Sequence, residues 1–311
     1  MTSASQPDPA PQWQRDFLQR HQLRDAYLDS ARQWFTPLAQ ALASHQNSAE
    51  RPILVALNGC QGSGKTTVCD FLCTALKAEH GLNAVALSLD DFYLTRAQRQ
   101  SLATSVHPLL ATRGVPGTHD MALMQDILGQ LLDPQRTDAV AIPRFDKAAD
   151  DRRPQSAWDR VPAPLQIVLL EGWCLGAQPQ PPEQLAQPAN ALEQAEDPGG
   201  DWRGYSNTLL GDAFQALYRL VDQWIMLRAP SFECVFQWRQ EQERKLAATV
   251  DAAQPNALMD DAALTRFIQH YERLTRQCLD TLPDKVHHLF TLDDRRQITG
   301  YTHRPHRGAG L

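Results

Sequence analysis

Five short apolar runs, separated by longer stretches with helical periodicity, dominate the hydrophobic pattern of the chain. The runs cover residues 53–57, 84–89, 166–170, 223–227 and 286–290. Three of them are almost entirely apolar, which is typical of strands that are covered on both faces. Because strands alternate with helices, the pattern predicts an α/β fold with a doubly wound, mostly parallel five-stranded sheet flanked by helices. Ligands of such sheets bind at the carboxyl ends of the strands.

The N-terminal region has apolar positions spaced three or four residues apart. This spacing predicts one long amphipathic N-terminal helix over residues 13–45, kinked at Pro37, with a buried stripe of Leu28, Ala31, Phe35, Leu38 and Leu42. Residues 178–204 are rich in Pro, Gln, Glu and Gly, which predicts an insertion or a mobile surface loop. We expect residues 1–12 to be a disordered lead-in and residues 13–311 to form a single domain.

The first apolar run leads into a complete phosphate-binding motif, G-x-x-x-x-G-K-[ST]. A helix predicted over residues 67–80 follows it, so the motif has the strand and helix that it requires. Its small residues let backbone amides turn towards phosphate groups, while the helix N-terminus and the lysine add positive charge. The motif therefore predicts a P-loop NTPase fold that binds a nucleoside triphosphate through Gly59, Cys60, Gln61, Gly62, Ser63, Gly64, Lys65, Thr66 and Thr67.

Acidic residues follow the second and third runs, at strand ends that should lie beside the phosphate loop. Asp90 and Asp91 follow the second run, and we assign Asp90 as the general base that a phosphoryl transferase needs near its acceptor hydroxyl. A helix N-cap is the alternative for either aspartate. Glu171 follows the third run in a Walker-B position, where it would hold Mg²⁺ together with the Thr66 hydroxyl. A charge facing solvent is the alternative for Glu171.

Cationic residues occur in three further segments. Arg239 and Arg244 lie on a helix predicted after the fourth run, where they would stabilise charge on the phosphates in the transition state. A solvated charged face explains these two arginines equally well. Two polar loops with Gly or Pro turns carry Arg113, Arg144 and Lys147. An anionic acceptor explains the loops, because Arg binds carboxylates with a two-pronged fork, and surface salt bridges are the alternative.

Composition limits the classes of function. The net charge is −6, from 30 basic and 36 acidic residues, whereas nucleic-acid binders usually carry a basic excess. No apolar stretch is long enough for a membrane span, and the first residues lack the features of a signal peptide. The 6 cysteines form neither a Cys-x-x-Cys pair nor a zinc-type cluster with histidine. We expect a cytoplasmic protein with reduced thiols and with no nucleic-acid or membrane partner.

Six sequence blocks resemble those of the plant-type D-glycerate 3-kinase family. In chain order they read GCQGSGKTT, LSLDDFYLT, RGVPGTHD, PRFDK, EGWCLG and QWRQEQE, and the resemblance runs from about residue 50 to the C-terminus. This family is similar in turn to uridine kinase, phosphoribulokinase and bacterial pantothenate kinase. The resemblance implies an ATP- and Mg²⁺-dependent kinase that converts D-glycerate, a small carboxylate, to 3-phosphoglycerate.

The resemblance also implies roles for individual residues. Asp90 matches the general base of the wider group, and Glu171 matches its magnesium-associated acid. Arg239 and Arg244 fall in the lid segment. The acceptor side is implied to include Asp90, Tyr93, Arg113, His119, Arg144 and Lys147.

Two other functions stay open at the level of the sequence. One is a kinase for a different small acceptor, such as another hydroxy acid, a nucleoside or a pantothenate-like compound. The other is a nucleotide-dependent regulatory protein, such as a switch GTPase or a metallochaperone. The chain has no guanine-reading Asn-Lys-x-Asp motif and no cluster of Cys and His, which argues against the second class. The sequence does not indicate an oligomeric state.

Overall fold

The computed structural model describes residues 10–249 and 261–305. Numbered in chain order, their strands are β1 (Ile53–Gly59), β2 (Ala84–Ser88), β3 (Val140–Ile142), β4 (Phe145–Asp146), β5 (Asp151–Arg152), β6 (Asp159–Val161), β7 (Ile167–Gly172), β8 (Gln223–Arg228), β9 (His288–Leu292) and β10 (Ile298–His303). Strands β3 and β6 form one small antiparallel sheet, and β4 and β5 form another.

The main sheet has six strands in the order β10-β9-β8-β1-β7-β2. All neighbours pair in parallel except β9 and β10, which are antiparallel. The five predicted strands are all present, so the predicted α/β fold with a mostly parallel sheet is confirmed. Strand β10 was not predicted. It is a largely exposed edge strand with few apolar residues, and it therefore lacks the hydrophobic signal of a buried strand.

The helices are α1 (Gln12–His21), α2 (Ala26–Ser30), α3 (Thr36–Asn47), α4 (Lys65–His80), α5 (Arg96–Ser105), α6 (Met121–Leu131), α7 (Pro182–Ala186), α8 (Ala191–Glu196), α9 (Asp201–Gly211), α10 (Ala213–Tyr218), α11 (Phe232–Thr249) and α12 (Asp261–Thr281). Short 3₁₀ turns cover Leu89–Phe92, Pro108–Ala111 and Gln155–Ala157, and a π-helical turn covers Ala31–Phe35. None of the helices in the described part of the chain combines the length and the apolar character that a bilayer crossing requires.

Both faces of the central strands are buried, which explains why β1, β7 and β8 are apolar at most positions. Alternate residues of β1 point to opposite faces, so Val55 and Leu57 belong to one core layer while Leu54 and Ala56 belong to the other. Helices α3, α4 and α11 contribute to the first layer, and α6, α9 and α10 contribute to the second. Strand β1 lies at the centre, and its carboxyl end opens into the phosphate loop.

The N-terminal region is not one helix, so the prediction of a single helix over residues 13–45 is wrong. Helix α1 ends where Gln22 adopts a left-handed conformation (φ 53°), which a right-handed helix does not continue through. The break lets α1 pack along α4, with Phe17 and Phe71 in edge-to-face contact at 5.3 Å between ring centroids. The predicted stripe of Leu28, Ala31, Phe35, Leu38 and Leu42 is buried, as predicted.

The chain accommodates Pro37 through the π-helical turn that immediately precedes it. Pro37 is the second residue of α3, and the π turn changes the helical hydrogen-bond pattern just before the position at which Pro37 lacks an N–H. Helix α2, the π turn and α3 consequently follow one another without a gap. Residues 1–9 of the predicted lead-in lie outside the described residues, and α1 already begins at Gln12.

The segment over residues 178–204 contains α7, α8 and the first turn of α9, a helical content that its composition did not predict. Two buried ion pairs hold it: Arg203 with Asp197 at 2.8 Å within the segment, and Glu193 with Arg273 of α12 at 2.5 Å. Leu192 and Trp202 of this region pack in a small separate core with Leu109, Leu110 and Val115. The segment is therefore attached both to α12 and to the loop that begins at residue 107.

Candidate active site

The phosphate loop has the strand–loop–helix geometry that its motif predicts. Strand β1 ends at Gly59, and α4 begins at Lys65, two residues earlier than predicted. Gly62 and Gly64 have φ values of 80° and 91°, which favour glycine because it lacks a Cβ. A Cβ on Gly62 would also lie 2.9 Å from the Cβ of Trp238. The backbone of this loop consequently depends on glycine for both conformation and space.

Lys65, Thr66 and Glu171 meet at the start of α4. The Thr66 hydroxyl donates a hydrogen bond of 2.8 Å to Oε1 of Glu171, and Lys65 Nζ lies 3.9 Å from Oε2 of the same carboxylate. Register brings them together, because Glu171 of β7 pairs with Leu57 of β1 and with Ser88 of β2. The hydroxyl and carboxylate are oxygen donors of the type that Mg²⁺ prefers, so this pair fits a magnesium ion.

Asp90 lies in the 3₁₀ turn after β2, with its side chain 30% exposed. It accepts hydrogen bonds of 2.9 Å from Lys147 Nζ and from the Tyr93 hydroxyl. Burial disfavours the carboxylate, but the charges of Lys147 and Lys65 and both hydrogen bonds outweigh this effect and lower the pKa of Asp90 to about 2. Asp90 is therefore ionised at neutral pH.

Asp91 binds different partners from Asp90. It accepts a hydrogen bond of 2.6 Å from Arg144 and one of 3.0 Å from the Phe145 amide. Arg144 also donates to Asp159 at 2.7 Å. Neither Asp90 nor Asp91 supplies the side-chain cap of the turn, because the Ser88 hydroxyl accepts the Asp90 amide. Asp91 thus anchors the β4–β5 hairpin to the end of β2.

A cavity of about 350 Å³ brings most of the predicted residues together. Lys65 and Thr66 form its phosphate-loop side, and Asp90 lies in its wall. We call it the phosphate–acceptor cavity, after the two groups of residues that the sequence predicts for it. The predicted residues that line it are Gln61, Gly62, Lys65, Thr66, Asp90, Tyr93, Arg113, Lys147, Glu171 and Arg239. Arg144 does not line it. That arginine lines a neighbouring cavity of about 280 Å³ between α1 and the main sheet.

Two arginines enter the phosphate–acceptor cavity in contact with aromatic rings. Arg113 pairs with Asp150 and lies 5.3 Å from the centroid of the Phe145 ring. Arg239 lies 5.4 Å from the centroid of the Phe267 ring. Such cation–π contacts help to hold a guanidinium in place. Arg244, the second predicted arginine of α11, belongs to residues 242–249, of which the structure describes the helix but not the side chains.

His119 lies behind Tyr93, not in the lining of the phosphate–acceptor cavity. The two rings are stacked with centroids 4.6 Å apart, and residues 93 and 119 form an isolated antiparallel bridge. Neither ring nitrogen of His119 has a hydrogen-bond partner among the described residues. Burial lowers the pKa of His119 to about 4, although the Asp90 charge acts in the opposite direction. The imidazole is therefore neutral at pH 7.

Sequence reasoning missed three aromatic residues of the cavity: Trp173, Phe267 and Tyr271. Tyr271 donates a hydrogen bond of 3.3 Å to the carbonyl of Arg113, and Trp173 donates one of 3.2 Å to the carbonyl of Gly114. Both therefore fix the backbone that carries Arg113. Trp173 follows Glu171 closely enough to be found from the strand end. The residues of α12 have only the spacing of an ordinary buried helix face, which does not distinguish them from core residues.

A second cavity, of about 380 Å³, also borders the phosphate loop, through Ser63, Gly64 and Thr67. We call it the base cavity, where "base" means the nucleobase of a nucleotide and not the general base. Its apolar walls include Tyr27 and Phe35 from the N-terminal helical region and Leu227, Leu292 and Ile298 from the main sheet. Arg295, Arg296 and Gln297, from the turn between β9 and β10, line it as well. The phosphate loop therefore lies next to two cavities, one largely polar and one with aromatic and aliphatic walls.

Comparisons with known proteins identify relatives over most of the chain, although no family model matches it. The uncharacterized kinase mug58 of Schizosaccharomyces pombe is 32% identical over 244 residues, which cover 76% of this chain and 84% of that protein. The chloroplastic D-glycerate 3-kinase of Arabidopsis thaliana is 29% identical over 242 residues, or 74% of this chain. The match spans about half of the plant enzyme, 48% of its length.

The fold is also that of a solved kinase structure. The D-glycerate 3-kinase from Cryptococcus neoformans superposes with a TM-score of 0.71 and 24% sequence identity, covering 86% of this chain and 97% of that one. Together with the phosphate loop and the carboxylates at the adjacent strand ends, these similarities establish the family. The chain belongs to the P-loop kinases of the D-glycerate 3-kinase type.

Proposed function

We propose that this protein transfers the γ-phosphate of ATP to a hydroxyl of D-glycerate and produces 3-phosphoglycerate. The observation that carries the proposal is that Lys65, Asp90 and Arg113 line one cavity. Phosphoryl transfer needs a cation at the transferred group, a carboxylate at the acceptor hydroxyl and a means of holding the acceptor. The names of the Arabidopsis and Cryptococcus relatives support glycerate as the acceptor.

ATP is proposed to lie across the phosphate loop, with its base in the base cavity. The aromatic and aliphatic walls of that cavity suit a purine ring, and polar groups of the 295–297 turn are available to hydrogen-bond its edge. Amides of the loop and Lys65 would hold the phosphates. Thr66 and Glu171 would hold Mg²⁺, which neutralises phosphate charge when it is bound.

The acceptor is proposed to bind in the phosphate–acceptor cavity, between Asp90 and Arg113. An arginine fork recognises a carboxylate in a defined orientation, so Arg113 would fix the glycerate carboxylate while Asp90 accepts the hydrogen bond of the reacting hydroxyl. The Tyr93 hydroxyl donates a hydrogen bond of 2.9 Å to Asp90 and keeps the Asp90 carboxylate oriented. Arg239, which enters from α11, would stabilise the charge of the transferring phosphoryl group.

The low pKa of Asp90 is compatible with a general base. Its carboxylate is ionised and ready to receive a hydrogen bond, and in a loose transition state the proton leaves the hydroxyl late, when the new P–O bond has made that proton acidic. Lys147 occupies one oxygen of Asp90 and is 64% exposed, so a bound anionic acceptor would compete for its ammonium group. Acceptor binding is thus expected to loosen the Lys147–Asp90 pair.

The test is ADP formation with D-glycerate, L-glycerate, uridine, pantothenate and glycerol measured side by side. We expect turnover with D-glycerate to exceed that with each other acceptor, and ³¹P NMR to identify 3-phosphoglycerate as the product. The Lys65→Ala variant controls for contaminating kinases. Higher turnover with uridine or pantothenate would transfer the assignment to a different acceptor class. Tight ATP binding without turnover on any acceptor would favour a regulatory protein.

A further inference from the structure

Trp238 of α11 packs directly on the phosphate loop. The residue is 2% exposed. A Cβ at Gly62 would come within 2.9 Å of the Trp238 Cβ and within 3.6 Å of its carbonyl carbon, so the backbone of α11 itself lies on the loop. Only a residue without a Cβ leaves room for this approach, so a displacement of either the loop or α11 at this point is expected to shift the other.

The same tryptophan is hydrogen-bonded to the turn that forms part of the wall of the base cavity. Its Nε1 donates a hydrogen bond of 2.7 Å to the carbonyl of Asp294, in the turn between β9 and β10. That turn is internally braced, since the Asp293 carboxylate accepts the amides of Arg295 at 2.9 Å and Gln297 at 2.7 Å. This braced turn supplies Arg295, Arg296 and Gln297 to the base cavity.

A second contact joins the turn to α11 close to Trp238. The Arg296 guanidinium pairs with Glu241 and lies 5.9 Å from the centroid of the Trp238 ring. Arg239, which follows Trp238 in the chain, lines the phosphate–acceptor cavity, where the phosphates and acceptor are proposed to react. One helical turn of α11 thus contacts the wall of the base cavity, the phosphate loop and the site of phosphoryl transfer.

We propose that Trp238 is a positioning residue that couples occupancy of the base cavity to the placement of Arg239. The inference rests on the proposed phosphoryl transfer. It adds a structural coupling through which the rate of transfer depends on the nucleoside part of the donor. A bound base fixes the 293–297 turn, and Trp238 transmits this position to α11. Arg239 then reaches the transferring phosphoryl group in the geometry that the reaction requires.

The experiment is a double-mutant cycle of Trp238→Phe and Arg239→Ala, with kcat and both KM values measured using ATP and D-glycerate. Phe retains most of the ring but cannot donate to the Asp294 carbonyl. We expect Trp238→Phe to lower kcat by about ten- to a hundredfold, as for a small displacement of a catalytic group, with the glycerate KM unchanged. The double variant should be no slower than Arg239→Ala alone, because Trp238 acts through Arg239.

Trp224→Phe is the matched control, since it makes the same change at a tryptophan that is equally buried, in β8. Its kcat should equal that of the wild type even if its melting temperature falls. Additive losses in the double variant, or a wild-type kcat in Trp238→Phe, would overturn the inference. So would an unchanged kcat in Arg239→Ala, whereas the proposed function is tested separately by the acceptor panel on the wild-type protein.

A second variant protects the test if Trp238→Phe does not fold. Glu241→Gln removes the charge that pairs with Arg296 and leaves Trp238 in place. Combined with Arg239→Ala in the same cycle, it should give a smaller loss of kcat that is again absent on the Arg239→Ala background. A loss that persists on that background would show that the turn and α11 affect the reaction without Arg239, and the inference would be wrong.

Discussion

Asp90 and Asp91 are adjacent in the chain, yet their carboxylates bind different cations. Asp90 accepts a hydrogen bond from Lys147, inside the phosphate–acceptor cavity, and Asp91 accepts one from Arg144. Because Arg144 and Lys147 flank the short strand β4, Asp91 also determines where Lys147 can reach. One turn therefore provides both a carboxylate in the cavity wall and the anchor of the segment that faces it.

We predict that Asp90→Asn lowers kcat by roughly a hundredfold or more, the scale of a lost general base. The ATP KM should change little, because Asp90 is not part of the phosphate loop. Asp91→Asn should have a smaller effect on kcat but should cost about 1 kcal/mol or more of folding stability, since it weakens a charge-assisted hydrogen bond. Steady-state kinetics and urea unfolding of both variants check this ranking, and the reverse order would exchange the two roles.

Lys65→Ala is predicted to abolish turnover while the protein stays folded. The ammonium lies at the start of α4, donates to the Cys60 carbonyl at 3.2 Å, and is placed to neutralise the β- and γ-phosphates. Circular dichroism and thermal unfolding establish that the variant is folded. A kcat near that of the wild type would contradict the kinase mechanism proposed here.

Arg113 and Arg144 are predicted to differ in their effect on the acceptor. Arg113→Ala should raise the glycerate KM strongly, and Arg113→Lys should restore it only in part because Lys lacks the planar fork. Arg144→Ala should act mainly through stability and hairpin position, since Arg144 binds Asp91 and Asp159. Glycerate KM for each variant is the measurement. Wild-type turnover of glycerol equal to that of glycerate would disprove carboxylate recognition.

The pH dependence of activity should report the pair of Lys147 and Asp90. Burial raises the pKa of Asp90, but Lys147, together with Lys65 and the Tyr93 hydroxyl, lowers it to about 2, so Lys147→Met should raise that pKa. The carboxylate would then become protonated at higher pH, and the acid limb of kcat/KM should shift upwards. Profiles of both proteins between pH 4 and pH 8 test this: the pKa of about 2 places the wild-type limb of Asp90 below this range, and the limb of the variant should move towards or into it. An acid limb that does not move would mean that another group controls it.

Stability between pH 7 and pH 5 should depend on His119. Its folded-state pKa of about 4 lies below the ordinary 6.5, so in this window the unfolded chain binds a proton that the folded chain excludes. Stability contributed by the neutral imidazole is therefore lost as pH falls. We expect His119→Phe to reduce the drop in unfolding free energy between these pH values by about 2 kcal/mol. Urea titrations at both values measure it, and an equal drop in both proteins would contradict the prediction.

The sequence by itself was sufficient for the class of fold and for the strand–loop–helix geometry of the phosphate loop. The central strands of the main sheet are buried on both faces, which leaves a strong apolar signal, and the phosphate loop is a local motif whose backbone depends on its own glycines. Asp90 and Glu171 were predictable because parallel strands end at the same edge of a sheet. The extent of the single kinase domain and the roles of these residues stay predictions.

Tertiary structure decided which cationic and aromatic side chains lie near Asp90, Glu171 and the phosphate loop. Arg113 and Arg144 have similar sequence contexts, and only the placement of Asp91, Asp150 and Asp159 directs one into the phosphate–acceptor cavity and the other away from it. The break after α1 and the edge strand β10 depend on long-range packing and pairing, which apolar spacing does not record. Tyr271 and Trp238 look like ordinary core residues along the chain. Their contacts with the Arg113 carbonyl and with Gly62 exist only once distant segments have folded together.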